Sequence, residues 1–291
     1  MQLFVNDLTV MDFSYLCPER GMVGESWIVD VILSGDLNDE SMIQDFGKVK
    51  KNLKRLIDDY VDHKLLVPAD YANVAIVHED NSEHVDVRFT CNDGRVIQLY
   101  CPAEAYAFIY GETVTKDSTG SYLREVIATH LPENVDNLEL ILRTEVISTP
   151  FYHYTHGLKK HDGNCQRIAH GHRSKIDVFV NGENSLESQQ YWASRWEDIY
   201  IASEEDRLAF SARQASGTVP VDREYCCFAY ESSQGYFEIL LPESDCEVIT
   251  TDSTVECLAQ FIFDEEKARQ NGGSVKVLAY EGVGKGALVC D

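Results

Sequence analysis

Positive charge is scarce in this chain. Its 291 residues carry 25 Lys and Arg against 49 Asp and Glu, a net charge of -24. Proteins that grip nucleic acid display a basic footprint that neutralises phosphates. None is visible here, so nucleic acid is an excluded partner, and an anionic membrane surface is excluded on the same ground. Long apolar runs are also missing: none approaches the ~18 residues of a membrane span. None of the nine cysteines forms a CxxC pair, and their odd number argues against a disulfide framework. The first residues, MQLFVNDLTVMDF, lack the basic and apolar regions of a signal peptide. The expectation is a cytoplasmic protein with free thiols in a reducing compartment. Eight of these thiols read as small buried hydrophobes; Cys165 is the candidate exception.

What is present is internal repetition. The length suits two domains of roughly 140 residues. Trp27 to Gly35 (WIVDVILSG) lines up with Lys175 to Gly182 (KIDVFVNG), and Asp117-Ser118-Thr119 with Asp252-Ser253-Thr254. LELILRTE, ending at Glu145, matches VKVLAYE, ending at Glu281. The segments 86–104 and 224–244 both read as hairpins, turning at Asn92-Asp93-Gly94 and at Ser232 to Gly235. Apolar residues at Phe46, Val49, Leu53, Leu56, Ile57 and Tyr60 have helical spacing. Further helices are expected at about 119–130 and 253–269, and QYWASRWEDIYIASEEDRL reads as one helical stretch. The predicted units are 1–148 and 149–291, dividing near Thr149-Pro150.

Chemistry concentrates in Phe151 to Val180, which holds five of the nine histidines. On a strand, residues i and i+2 share a face, so His170 and His172 can chelate one ion. With His156 they supply three imidazoles and leave a fourth position open, as catalytic zinc requires. His153 and His161 read as exposed bystanders. The repeat places His170 on Val23, His172 on Glu25 and His156 on Cys17, so the first unit has no triad. That unit instead carries Asp62-His63, in which a carboxylate can orient an imidazole and stabilise its cation. The corresponding second-unit region, around Glu205 to Phe210, has no histidine. A complete site is therefore expected where unlike halves meet. Lys159, Lys160, Arg167, Arg173 and Lys175 surround the histidines and suit an anionic substrate.

F-x-Y-x-H, a loop cysteine, His-Gly-His, Asp-His-x-x-Leu and a closing V-x-V-x-x-E together resemble the 6-pyruvoyl-tetrahydropterin synthase family, which includes bacterial 6-carboxy-tetrahydropterin synthase of the queuosine pathway. The resemblance covers nearly the whole chain as two copies. It implies an α+β fold of two tandem tunnelling-fold (T-fold) units, antiparallel sheets backed by helices and closed into a barrel by oligomerisation. Six units per assembly would make three tandem chains, a homotrimer. The resemblance further implies a zinc lyase acting on 7,8-dihydroneopterin triphosphate, with Zn2+ on His156, His170 and His172. Cys165 would be the catalytic thiol, and Asp62 and His63 its partners across an interface. Glu281 would anchor the pterin, with its repeat mate Glu145 as the alternative, and Thr254 would contribute to the pterin pocket. The expected product is 6-carboxy-tetrahydropterin. A 6-pyruvoyl product and a catalytically lost zinc- or pterin-binding protein are the alternatives.

Overall fold

The computed structural model describes residues 1–78, 82–209 and 223–291. Up to Thr144 the chain forms β1 (Gln2–Cys17), β2 (Gly21–Gly35), α1 (Phe46–Tyr60), β3 (Leu65–Pro68), β4 (Val74–His78), β5 (His84–Thr90), β6 (Val96–Pro102), β7 (Tyr106–Ile109), α2 (Lys116–Ala128) and β8 (Val135–Thr144). From Phe151 it forms β9 (Phe151–His156), β10 (His170–Val180), β11 (Glu183–Asn184), α3 (Leu186–Arg195), β12 (Ile199–Ser203), β13 (Tyr225–Ser232), β14 (Gly235–Pro242), β15 (Cys246–Ile249), α4 (Val255–Arg269), β16 (Val275–Tyr280) and β17 (Gly286–Cys290).

One sheet has the order β7-β3-β1-β2-β8 and a second the order β15-β12-β9-β10-β16-β17, with β11 on β10. Exchanging β1, β2, β3, β7 and β8 for β9, β10, β12, β15 and β16 turns the first order into the second. β17 is extra. Pairing is antiparallel at the centre, while β3, β7, β12 and β15 join in parallel. The two expected hairpins, β5–β6 and β13–β14, do not stay with their own sheets. They join through β6 and β14, with Leu99 opposite Ile239, into a third sheet that also includes β4. Val85, Val87, Phe89, Phe237 and Ile239 pack in a shared core with Tyr200 of the second sheet and with Ile168, which lies just before β10.

The helices follow their sequence signals. Asp45 caps α1 by accepting from Lys48 N, and Val49, Leu53, Leu56 and Ile57 are its buried stripe. Thr115 and Ser118 cap α2 reciprocally. The stretch from Gln190 to Leu208 is not one helix. α3 ends at Arg195, Asp198 takes a positive φ of 54°, and Ile199–Ser203 is a strand pairing with β9 and β15. Its β-branched and aromatic residues fit that buried parallel position.

The register corrects three repeat alignments. Ser14 pairs with Gly24, and Thr155 pairs with Gly171. With Gly24 and Gly171 equivalent, His156 corresponds to Tyr15, not Cys17. Leu65 pairs with Ser14, and Tyr200 with Thr155. Asp62-His63 therefore corresponds to Glu197-Asp198 rather than to Glu205–Phe210, and Phe210 lies outside the described residues. His63 and Asp198 share a φ of 54°, which supports that correspondence. Leu142 pairs with Val29, and Ala279 with Ile176. Glu281 therefore falls on Thr144, one residue before Glu145.

The two sheets meet at these equivalent glycines. A Cβ on Gly24 or on Gly171 would run into the Tyr154 carbonyl oxygen. Ser14 and Thr155 hydroxyls meet there at 2.7 Å. His153 is no bystander: it is buried, and its Nδ1 lies 2.7 Å from Gly24 O, tying the sheets together.

Candidate active site

β9 and β10 build the histidine cluster. His170 lies directly across from His156, and His172 follows two residues along the same strand. All three are at most 1 % exposed. His156 Nδ1 is 2.9 Å from Ser253 O, and His170 Nδ1 is 3.0 Å from Arg167 O. Those carbonyls fix the proton on Nδ1 and leave Nε2 as the electron-pair donor. His172 Nδ1 lies 3.3 Å from Asp12 Oδ1. Burial, reinforced by the neighbouring imidazoles, holds His156 and His170 far below the usual imidazole range, so both are neutral. Nε2 of His156 and Nε2 of His172 stand 3.2 Å apart. Two nitrogens bound to one tetrahedral zinc at 2.0–2.1 Å stand about 3.3 Å apart. The ligand atoms of all three residues fall within 4.8 Å of one another, so the set fits a zinc ion.

Asp62-His63 reaches this cluster within the same chain. After α1 the chain turns at His63, and β1 holds the turn: His63 N donates to Asp12 O at 2.7 Å, and Asp12 N donates to Asp62 Oδ1 at 2.8 Å. Asp62 Oδ2 lies 2.6 Å from His63 Nδ1. The His63 ring sits 5.0 Å from the His170 ring, and His63 hydrogen-bonds with Cys165. Burial pushes the His63 pKa down, but Asp62 and Cys165 outweigh it and lift it to about 10. Cys165 sits in a short turn, Gly163–Gln166, between β9 and β10.

Glu281 lies on the other side, Oε1 3.9 Å from His172 Nε2. Glu145 instead touches Arg173, which donates to its backbone carbonyl at 2.9 Å. Thr254 caps α4 by accepting from Cys257 N; its neighbour Ser253 is the residue that touches the triad.

The basic cluster is largely spent elsewhere. Lys159 pairs with Glu205 and Asp206, Lys160 with Glu205 and Asp252, and Arg173 and Lys175 lie over aromatic rings. Arg167 is different. It is 5 % exposed, its Nε has no hydrogen-bond partner, and it borders a cavity of about 290 Å³ with Glu104, Asn164 and Gln234. Lys64 is buried near it, and burial, with help from Arg167, pushes its pKa down to about 8. Two buried cations held together are a ready site for an anion.

Four contributors were not anticipated: Asp12, Lys64, Ser253 and Lys285. Asp12 is 3 % exposed, yet it faces His172, Ser26 Oγ at 2.5 Å and Lys285 Nζ at 3.2 Å. Burial would raise its pKa, but His172, Lys285 and Ser26 hold it well below the usual carboxylate range. An acid inside the apolar run from Val10 to Leu16 was its one sequence signal.

This is an α+β protein whose second sheet carries a buried three-histidine cluster and whose first supplies an Asp-His pair. Residues 17–143 match the family model of 6-pyruvoyl tetrahydropterin synthase, and the chain's resemblance to that family is thereby shown. The matched span contains Asp62 and His63 but not the triad or Cys165. No curated protein matches the chain. Among solved structures, 6-pyruvoyl tetrahydropterin synthase from Plasmodium vivax is 16 % identical, with 51 % of this chain and 93 % of that one covered and a TM-score of 0.40. The Plasmodium falciparum enzyme is 12 % identical, with 49 % and 97 % covered and a TM-score of 0.37. Among the described residues, no helix is long and apolar enough to cross a membrane.

Proposed function

We propose that the chain is a zinc-dependent lyase acting on 7,8-dihydroneopterin triphosphate, of the 6-carboxy-tetrahydropterin synthase type. The observation that carries this reading is one constellation: three buried imidazoles within reach of a thiol, an Asp-His pair and a carboxylate. When bound to His156, His170 and His172, zinc supplies a Lewis acid for the hydroxyls of the substrate side chain. Cys165 takes the side-chain proton as a thiolate base. His63, held by Asp62, stabilises that thiolate and returns a proton to the product. Glu281 accepts the two parallel N–H groups of the aminopyrimidinone edge, and Lys285 Nζ lies 3.7 Å from its Oε2. Lys64 and Arg167 receive the triphosphate. Thr254 would serve the pterin pocket by capping α4, which sets Ser253 against His156.

A 6-pyruvoyl product is the second reading, favoured by the description of the matching family. Incubating the zinc-loaded protein with 7,8-dihydroneopterin triphosphate and identifying products by mass separates the two. Pterin binding with no turnover near neutral pH would instead indicate a catalytically lost binding protein. The repeated sheet order supports two tandem T-fold units, 1–148 and 149–291, and a homotrimer supplies the six units that the family pattern implies.

A further inference from the structure

His170 belongs to two ligand sets. Beside the three-histidine set, His63, Cys165 and His170 also bring one ligand atom each to within 4.8 Å of the others. We propose that these three residues form a second position for a soft divalent ion, in competition with the first for His170. The proposal goes beyond the pterin reading and stands whether or not the chain turns over a pterin.

Each donor is prepared for the task. His63 Nδ1 is 2.6 Å from the Asp62 carboxylate, which leaves Nε2 for an ion. A carboxylate behind an imidazole is the usual support of a metal-bound histidine. His170 Nδ1 is held by Arg167 O, so its Nε2 is the shared atom. Cys165 adds a thiolate. Two imidazoles with one thiolate are a softer set than three imidazoles and prefer zinc, cadmium or cobalt over hard cations. The thiolate also cancels one charge of the ion, which neutral imidazoles cannot do.

Access differs too. His156 and His172 are sealed, whereas the His63 side chain is 18 % exposed and Cys165 is partly exposed. An arriving ion therefore meets the thiol set first. On binding, the Cys165 sulfur–hydrogen bond and the His63 Nε2–hydrogen bond break, both protons leave to solvent, and the sulfur–metal and nitrogen–metal bonds form, with no change of oxidation state. An ion in this position consumes the thiol and the imidazole that the proposed reaction uses, so excess soft metal becomes an inhibitor.

Titrating the metal-free protein with Co2+ and Cd2+, and following the thiolate-to-metal charge-transfer absorption, tests this directly. The band is expected in the wild type, absent in Cys165→Ala and retained in His156→Ala, which breaks only the three-histidine set. Asp62→Asn, which keeps the side-chain volume, should weaken the thiolate-bound ion by about 10–100-fold. His63→Ala should weaken it further. Absence of a thiolate band in the wild type at any metal ratio overturns the proposal. A band lost with His156→Ala, or indifferent to both Asp62→Asn and His63→Ala, overturns it equally.

Discussion

His63 shows how much one residue depends on its surroundings. Its backbone sits at a φ of 54°, which few non-glycine residues adopt. Two hydrogen bonds to β1 hold the turn there. Replacing His63 with Ala should lower kcat by about 10²–10⁴-fold, the usual worth of a general acid or base. Zinc content, measured by elemental analysis, should not fall. The pair also has a pH signature. Because the folded pKa of His63 is raised to about 10, the stability it contributes is complete below the unfolded value near 6.5. It is lost as pH rises through 10. Asp62→Asn should move the His63 titration, followed by NMR, downwards.

Lys64 works in the opposite direction. Its folded pKa of about 8 lies below the unfolded value, so the unfolded chain binds more protons between the two and stability rises with pH across that window. Inorganic triphosphate should raise the melting temperature of the wild type at pH 7. Lys64→Met should melt higher than wild type without the anion and lose most of the anion's effect. An equal response in both proteins would remove Lys64 from the anion site.

At the scale of elements, much was legible. The helix spacing from Phe46 to Tyr60, the turn glycines of the hairpins and the alternation around His170 all reappear in the structure. These signals are local, set by side-chain period and turn chemistry. The triad was legible for the same reason, since it needs only one hairpin. The offsets between halves were not. A slip of one residue reverses a strand's face, and conserved-looking letters such as Glu145 and Glu281 conceal it. Asp12, Lys64 and Ser253 were missed because their partners lie on other elements, brought close only when the sheets pack. The packing itself rests on Gly24 and Gly171. Adding a methyl at either glycine forces backbone apart, so Gly171→Ala should cost about 1–3 kcal/mol or more. Thermal unfolding should show the loss, and metal affinity should fall with it, because His170 and His172 flank that glycine.

At the scale of the whole molecule, the proposed function needs one chain to assemble one composite site from its unlike halves. The related position on the other side has diverged: Arg20 forms a two-pronged ion pair with Asp198, at 2.5 and 2.8 Å, where the first site has Arg167 and His63. The proposed function then has one working site per chain, and zinc should bind the three-histidine set at one ion per chain when metal is limiting. The most direct measurement avoids turnover altogether. His63 and Cys165 touch within one chain, so the His63→Cys protein, mildly oxidised, should form a disulfide between positions 63 and 165. This link, mapped by mass spectrometry, should leave the protein at single-chain mass under denaturing, non-reducing conditions. A covalent dimer joined between positions 63 and 165 would contradict it and would place the complete site between chains.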